Sequence, residues 1–209
     1  MIRDISRENI WLGRLGTILI VGGAAAGAAG LAAATWMGSG SAEARQHVLT
    51  SYLANYMYFL SFALGGLFLV LMEHLVRAGW SVVVRRMMEW ITAALPWLAL
   101  LFVPILLGLP YIYLWASPHP DLTHHQHELL KWKRAYLNPS LFSVRAVAFL
   151  LAWLAMGWYY RRQSLGQDRQ RDLAGSAALT RRMEKLAPPA VILFGLTITF
   201  AAFDWLMSR

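Results

Sequence analysis

Long apolar runs, separated by short polar segments, dominate the sequence. The first run, residues 15–37, has 23 residues and no charge, and about 20 apolar residues are enough for a helix to cross a bilayer. Hydrophobic residues make up 58% of the chain and charged residues only 14%, whereas soluble domains carry roughly 25% charged residues. The sequence therefore predicts an all-α protein, an integral membrane helix bundle.

Five transmembrane helices are predicted, and they form a single transmembrane domain over residues 1–209. Their approximate bounds are 15–37, 52–76, 90–115, 141–160 and 188–207. A cleaved secretory signal is the competing interpretation of the first run, because Ala42-Glu43-Ala44 resembles a cleavage site. The apolar core of this run is longer than the usual signal core of about 7 to 15 residues, so we interpret it as an uncleaved span.

The basic residues predict how the helices are oriented. With these five spans, thirteen of the nineteen Lys and Arg residues fall on one side, and such residues collect in short cytoplasmic loops. The amino terminus is therefore predicted inside and the carboxyl terminus outside. Residues 73–90 form one inner turn, and Arg77, Arg85 and Arg86 alternate there with apolar residues. This pattern predicts an amphipathic segment on the membrane surface, with its arginines facing water and headgroups. The alternative is a solvated connector whose arginines only reflect the excess of positive residues on the inner side.

Prolines predict irregularities in two of the spans. Span 3 contains Pro96, Pro104 and Pro110, and each proline removes a backbone hydrogen bond, so this helix is expected to be kinked or broken. Pro188 and Pro189 suit the first turn of a helix, where a missing N–H has no cost. Span 5 is therefore predicted to begin at these prolines.

The composition and spacing exclude several kinds of cofactor site. Without cysteine, the chain cannot form a disulfide, a cysteine-ligated iron–sulfur cluster or a cysteine nucleophile. No histidine lies in the middle of a predicted span, so a transmembrane b-type haem is not expected. The segment His119–His127 is rich in histidine, but His124, His125 and His127 lack the i, i+4 spacing of two imidazoles on one helical face. No metal site, catalytic residue or cofactor is predicted in this chain.

The net charge of +8 is spread over the ends of the apolar runs. A nucleic-acid site needs a continuous basic patch, so the expected partners of these charges are membrane lipids and not nucleic acid.

Four ionisable residues lie where charge is costly and are the candidate site. Glu73 and His74 end span 2 on the inside, while Arg145 and Asp204 lie at comparable depth near the outer ends of spans 4 and 5. Such residues face a bundle interior, a cavity or a partner. For Glu73 and His74, the alternatives are interfacial solvation and the inner end of a proton route. For Arg145 and Asp204, the alternatives are a packing salt bridge and an outer proton exit or quinol-headgroup contact.

Several short motifs occur in order from about span 2 onward. They are Gly79–Arg86 (GWSVVVRR), Tyr136-Leu137-Asn138 with Phe142 and Arg145, Ser164 with Gln167-Asp168, and Phe203–Ser208 (FDWLMS). In these motifs the chain resembles the polysulfide-reductase-type (NrfD-like) membrane subunits of bacterial alternative complex III, most of all the second, ActF-type, subunit.

The resemblance implies a subunit of a quinol:electron-acceptor (cytochrome c) oxidoreductase in the bacterial inner (cytoplasmic) membrane. Its implied partners are a paralogous NrfD-like subunit, an iron–sulfur subunit and a multihaem cytochrome c, which hold the iron–sulfur clusters and haem c. In this family the quinol site is attributed to the paralogous subunit. The present type is thought to provide a scaffold and a proton-translocation route, for which Glu73, His74, Arg145 and Asp204 are our candidates.

Family members continue beyond the Phe203–Ser208 motif into further helices, so the resemblance also implies that this chain corresponds to an amino-terminal half. A split gene, a truncated product and a portion of a longer chain are the alternatives. Two other functions are compatible with the sequence. One is a purely structural assembly subunit that buries helix faces and anchors lipids. The other is half of a secondary transporter, which the proline-rich span 3 favours.

Overall fold

A computed structural model describes residues 13–78, 82–116, 136–169 and 172–208 and shows an all-α protein. The chain divides into two compact units, Met1–Val48 and Leu49–Arg209. The first unit contains helix α1, Gly13–Gly38, and the beginning of α2, Ala42–Leu75. The turn between these helices is fixed locally, because Arg45 Nε donates a hydrogen bond of 3.2 Å to the Gly38 carbonyl.

Within the described residues, four helical segments are long and apolar enough to cross a membrane. They are Ala42–Leu75, Val84–Leu107, Pro139–Arg169 and Ala174–Met207. These segments correspond to predicted spans 2 to 5 and make the chain a multi-pass membrane protein. Predicted span 1 is helical as α1, and Gly16–Gly30 is its shorter apolar segment. A fifth crossing therefore stays a prediction.

The second unit continues from α2 through a series of helices that become very short in the middle. They are α3 Val82–Thr92, α4 Leu95–Leu101, α5 Val103–Leu107, α6 Leu109–Ile112, a 3₁₀ turn Leu114–Ala116, α7 Pro139–Arg169, α8 Leu173–Ala202 and a π-helical turn Phe203–Met207. Pro96, Pro104 and Pro110 lie in the first turns of α4, α5 and α6. Because proline has no N–H to donate, each one ends the preceding hydrogen-bond ladder, and the prediction of a broken span 3 is confirmed.

The two last long helices, α7 and α8, extend well beyond the predicted spans. Pro188 and Pro189 lie inside α8, so the prediction that a helix begins there is wrong. The Asp172 carboxylate accepts hydrogen bonds from two backbone N–H groups of the first turn of α8 and caps the helix there. Met183 is fully buried. Capping and packing therefore hold the turns before the prolines in the helical conformation.

The arginine-rich segment 73–90 also differs from the prediction. Helix α2 ends within it, and its last third belongs to the membrane-spanning segment Val84–Leu107. Arg77 adopts the left-handed conformation, with φ of 53°, just after α2 ends, which is a common way to end a helix. The Arg85 side chain is only 19% exposed, so the prediction that these arginines all face water is wrong. Packing against α7 removes Arg85 from solvent.

Fully buried aromatic residues form the centre of the second unit. The Trp205 ring lies 4.6 Å from that of Phe102 and 5.7 Å from that of Trp153, the latter edge-to-face. Buried aromatic side chains contribute large apolar areas and prefer such tilted arrangements. These contacts hold the end of α8 against α7 and against the junction of α4 and α5, and they fix the position of the neighbouring residue Asp204.

Candidate functional site

Two polar clusters lie at different levels of the helix bundle, and the first is centred on Asp204. Arg145 Nε donates to Asp204 Oδ2 at 2.7 Å, and Arg145 Nη2 donates to Asp204 Oδ1 at 3.2 Å. Asp204 is 1% exposed and the Arg145 side chain 20%. Such a two-pronged pair uses the planar guanidinium to satisfy both carboxylate oxygens. We call Tyr136, Arg145 and Asp204 the Asp204 cluster.

Local structure places both partners of this pair. The Asn138 side chain accepts a hydrogen bond of 2.8 Å from Leu141 N and caps α7 at its beginning, so Arg145 lies about two turns into the helix. Asp204 lies in the π-helical turn Phe203–Met207. Tyr113 and Trp115 hold this turn, since they donate hydrogen bonds of 2.9 Å to the carbonyls of Trp205 and Ser208.

Tyr136 completes the Asp204 cluster from the other side of Arg145. Its carbonyl accepts a hydrogen bond of 3.1 Å from Arg145 Nη1, and the guanidinium carbon lies 3.9 Å from the centre of its ring. A cation over an aromatic face is attracted by the negative potential of the ring. Burial and, secondarily, the hydrogen bond and charge of Asp204 raise the pKa of the Tyr136 hydroxyl. Arg145 is therefore held by contacts with both Asp204 and Tyr136.

The second cluster is centred on Glu89, which is 6% exposed. Ser164 Oγ on α7 donates a hydrogen bond of 3.0 Å to Glu89 Oε2. Arg85 Nε lies 3.6 Å from Oε1, and Arg86 Nη1 lies 3.5 Å from Oε2. The two arginines precede Glu89 by four and three residues, a spacing that brings side chains together on one helix face. The buried carboxylate therefore has partners from α3 and α7.

Both arginines of this cluster also reach α7. Arg86 Nη2 donates to Asp168 Oδ2, and Arg85 Nη2 lies 3.4 Å from Gln167 Oε1. Gln167 in turn donates a hydrogen bond of 2.6 Å to the Thr180 hydroxyl on α8. This network connects α3, α7 and α8, and we call Arg85, Arg86, Glu89, Ser164, Gln167 and Asp168 the Glu89 cluster.

The other two predicted site residues lie beside the Glu89 cluster. His74 is 4% exposed, its Nδ1 lies 2.7 Å from the Val70 carbonyl and its ring lies 5.1 Å from that of Tyr160. In the described part of the chain, His74 Nε2 has no hydrogen-bond partner. Glu73 is half-buried, and both residues border a polar cavity of ≈ 410 Å³. Its other lining residues include Arg77, Arg85, Gln167, Asp168 and Glu184.

The two clusters are separated by roughly the thickness of a bilayer core. Arg145 and Ser164 lie nineteen residues apart on α7, which is about 28 Å at 1.5 Å per residue, and the hydrocarbon core is about 30 Å thick. Between the clusters, Trp153 Nε1 donates a hydrogen bond of 2.9 Å to Thr197 Oγ1, while the neighbouring buried residues Ala146, Leu150, Met156 and Phe194 are apolar. The middle of the bundle is therefore mainly apolar.

The prediction from the sequence paired Arg145 with Asp204 and did not include Glu89. It assigned residues 73–90 to the membrane surface, where a carboxylate needs no partner. The spacing of Arg85, Arg86 and Glu89 was the available signal, because i, i+3 and i, i+4 pairs share a helix face. The sequence motifs included Ser164, Gln167 and Asp168, but these residues were not predicted as site residues. The histidines at 119–127 lie outside the described residues.

Comparison of the chain with protein-family models and with curated proteins gives no match. The geometry itself describes two ionic sites that join helices.

Proposed function

We propose that this chain is a membrane subunit of a quinol:electron-acceptor (cytochrome c) oxidoreductase of the alternative complex III type, in which it serves as scaffold. The observation that carries the proposal is where the motif residues lie. Arg85, Arg86, Ser164, Gln167 and Asp168 belong to the Glu89 cluster. Tyr136, Arg145 and Asp204 form the Asp204 cluster. The residues behind the NrfD-like resemblance thus form the polar contacts between helices.

A scaffold role agrees with the chemistry of both clusters. Each one joins two helices through residues that are far apart in the sequence, and a buried ion pair is costly to break once formed. Many large apolar side chains face outward, among them Phe59, Trp97, Val144, Trp158 and Ile192. Lipid or the membrane parts of other subunits would cover them. In this proposal the paralogous NrfD-like subunit binds the quinol. The iron–sulfur subunit holds the iron–sulfur clusters, and the multihaem cytochrome c holds haem c.

A proton route is the second candidate function, and the cavity beside Glu73 and His74 favours it. This cavity is lined by several ionisable side chains, among them His74, whose buried Nε2 has no hydrogen-bond partner among the described residues. Such groups inside a membrane protein often mark proton paths. The mainly apolar middle of the bundle opposes a continuous route to Asp204, so scaffold is the function we place first.

The proposed location is the bacterial inner membrane, with the Glu89 cluster on the cytoplasmic side. Arg77, Arg85, Arg86, Arg161 and Arg162 all lie toward this end of the bundle, and positive residues stay inside. A reporter enzyme that is active only in the periplasm, fused after residue 208, should be active in this orientation. Activity of a cytoplasmic reporter at the same position would reverse it.

Extraction from the native membrane in mild detergent tests the proposal. Mass spectrometry of the co-purifying proteins should find multihaem cytochrome and iron–sulfur subunits, together with quinol oxidation activity. If the chain purifies alone, the respiratory proposal fails. Reconstitution in liposomes then separates the remaining alternatives, because half of a secondary transporter would move a solute with its partner half and a structural assembly subunit would not.

A further inference from the structure

An apolar groove lies between α2, the α3–α4 region and α7, and the proposed respiratory function does not use it. Its volume is ≈ 470 Å³, within the range of about 300–1,000 Å³ that is typical of ligand sites. The floor is buried, with Leu67 0% and Val70 2% exposed, while Leu151 and Trp158 on the rim are 59% and 62% exposed. We call this site the α7 groove. Because its rim is exposed and apolar, it opens on an apolar outer face of the second unit.

The α7 groove has the length of one bilayer leaflet. Along α7 it runs from Leu151 to Arg161, ten residues or about 15 Å at 1.5 Å per residue. That distance is half of the hydrocarbon core of about 30 Å. The groove therefore extends from about the middle of the bilayer to the level of Glu89, where its lining becomes polar.

The polar end of the groove is positively charged. A second cavity, ≈ 270 Å³, adjoins it there and shares Glu89 and Arg161 with it, and Arg86, Trp90 and Leu165 complete its lining. The Glu89 carboxylate already has Arg85 and Arg86 as partners, and Arg86 also binds Asp168. Arg161 is exposed and, within the described residues, no carboxylate lies within salt-bridge distance of it. The charged residues that line the two cavities are thus two arginines, Arg86 and Arg161, and one carboxylate, Glu89, which leaves one positive charge over.

We propose that the α7 groove is a binding site for one anionic phospholipid. An acyl chain occupies the apolar part, and the phosphate lies at the second cavity, where Arg161 and the outer face of Arg86 contact it. Trp90 is 72% exposed and lies at the headgroup level, where tryptophan is enriched. Basic pockets between transmembrane helices recognise anionic headgroups in the same way.

Lipid retention tests this proposal on the full chain. The chain is reconstituted in vesicles of equal parts phosphatidylcholine and phosphatidylglycerol, extracted in mild detergent and analysed by native mass spectrometry. We expect one retained phosphatidylglycerol per chain. Arg161→Gln should lower its occupancy at limiting lipid about fivefold, the effect of one basic residue near an anionic headgroup. Ala155→Phe fills the groove from its exposed wall and should abolish retention.

Matched controls separate the groove from general effects on the surface. Arg182→Gln removes an exposed arginine from α8, and Ala148→Phe adds a ring to an exposed position of α7 outside the groove. Both should retain lipid as the unaltered chain does. Equal retention of phosphatidylcholine, unchanged retention in Arg161→Gln or Ala155→Phe, or displacement of the lipid by inorganic phosphate alone would overturn the proposal. These outcomes do not depend on whether respiratory subunits co-purify.

Discussion

The Asp204 cluster and the Glu89 cluster each stabilise a carboxylate that is buried among apolar helices, but they do so with different sets of partners. Asp204 has one cationic partner, and Arg145 binds both of its oxygens. Glu89 has two cationic partners and a hydroxyl donor. In the first arrangement, a single side chain stabilises the charge of the buried carboxylate. In the second, several side chains share this role, so the loss of any one of them leaves the carboxylate with other partners.

The two clusters also differ in how tightly they are packed and how exposed they are. The Asp204 cluster lies against a tightly packed aromatic centre, where Trp205 is 1% exposed. The Glu89 cluster borders three cavities, and Arg86 and Asp168 are 41% and 48% exposed at the side chain. Exposed pairs are screened by water and contribute little. The comparison therefore predicts that substitutions in the Asp204 cluster cost more than the equivalent substitutions in the Glu89 cluster.

The largest effect is expected for Arg145→Leu. It leaves Asp204 buried without its partner, and removal of one member of a buried ion pair costs about 3–5 kcal/mol. Denaturant unfolding of the purified chain in micelles, followed by tryptophan fluorescence, measures the loss. A loss below about 1 kcal/mol would show that Asp204 does not depend on Arg145.

The double variant Arg145→Leu/Asp204→Leu measures how strongly the stability of Asp204 depends on Arg145. Replacing both members of a buried ion pair by apolar residues of similar size is often neutral, so most of the stability lost in Arg145→Leu should return. The difference between the double variant and the sum of the two single variants gives the coupling energy, expected at about 2–3 kcal/mol. A double variant less stable than either single variant would break the interpretation.

An intermediate effect is expected for Glu89→Gln, about 1–2 kcal/mol, because hydrogen bonds to charged groups are worth about 1.5–3 kcal/mol and only the charge is removed. The amide carbonyl of the substituted side chain still accepts from Ser164, and Arg85 and Arg86 keep their contacts with Gln167 and Asp168. The same unfolding assay applies. If Glu89→Gln lost as much unfolding free energy as Arg145→Leu, the two carboxylates would not differ in how strongly they depend on a single partner.

The smallest effect is expected for Arg86→Gln, at about 0–1 kcal/mol, because its pair with Asp168 is nearly half exposed. What remains of the effect should shrink as salt is raised, since exposed charges are screened over about 10 Å at 0.1 M ionic strength. Unfolding at low and high salt checks both statements. A large, salt-independent loss would mean that Arg86 acts as a buried partner of Glu89.

The sequence predicted what depends on local composition and missed what depends on packing. Four membrane crossings were recognisable because apolar length is a property of continuous segments. Arg145 and Asp204 were paired because both occupy a similar depth in consecutive spans. The early beginning of α8 depends on the Asp172 cap and on the burial of Met183, which outweigh Pro188 and Pro189. Packing of α3 on α7 buries Glu89, and apolar length carries no information about that contact.

The role of Asp204 in the proposed respiratory complex is the central question, and Asp204→Asn tests it most directly. Asn keeps the size of the side chain and removes the charge that binds Arg145. The amount of assembled complex in the membrane and the quinol turnover per assembled complex are measured together, with Glu43→Gln, an exposed carboxylate on α2, as control. A scaffold role predicts less assembled complex with unchanged turnover and proton release per complex. Normal assembly with reduced turnover and proton release would contradict it and assign Asp204 to a proton route.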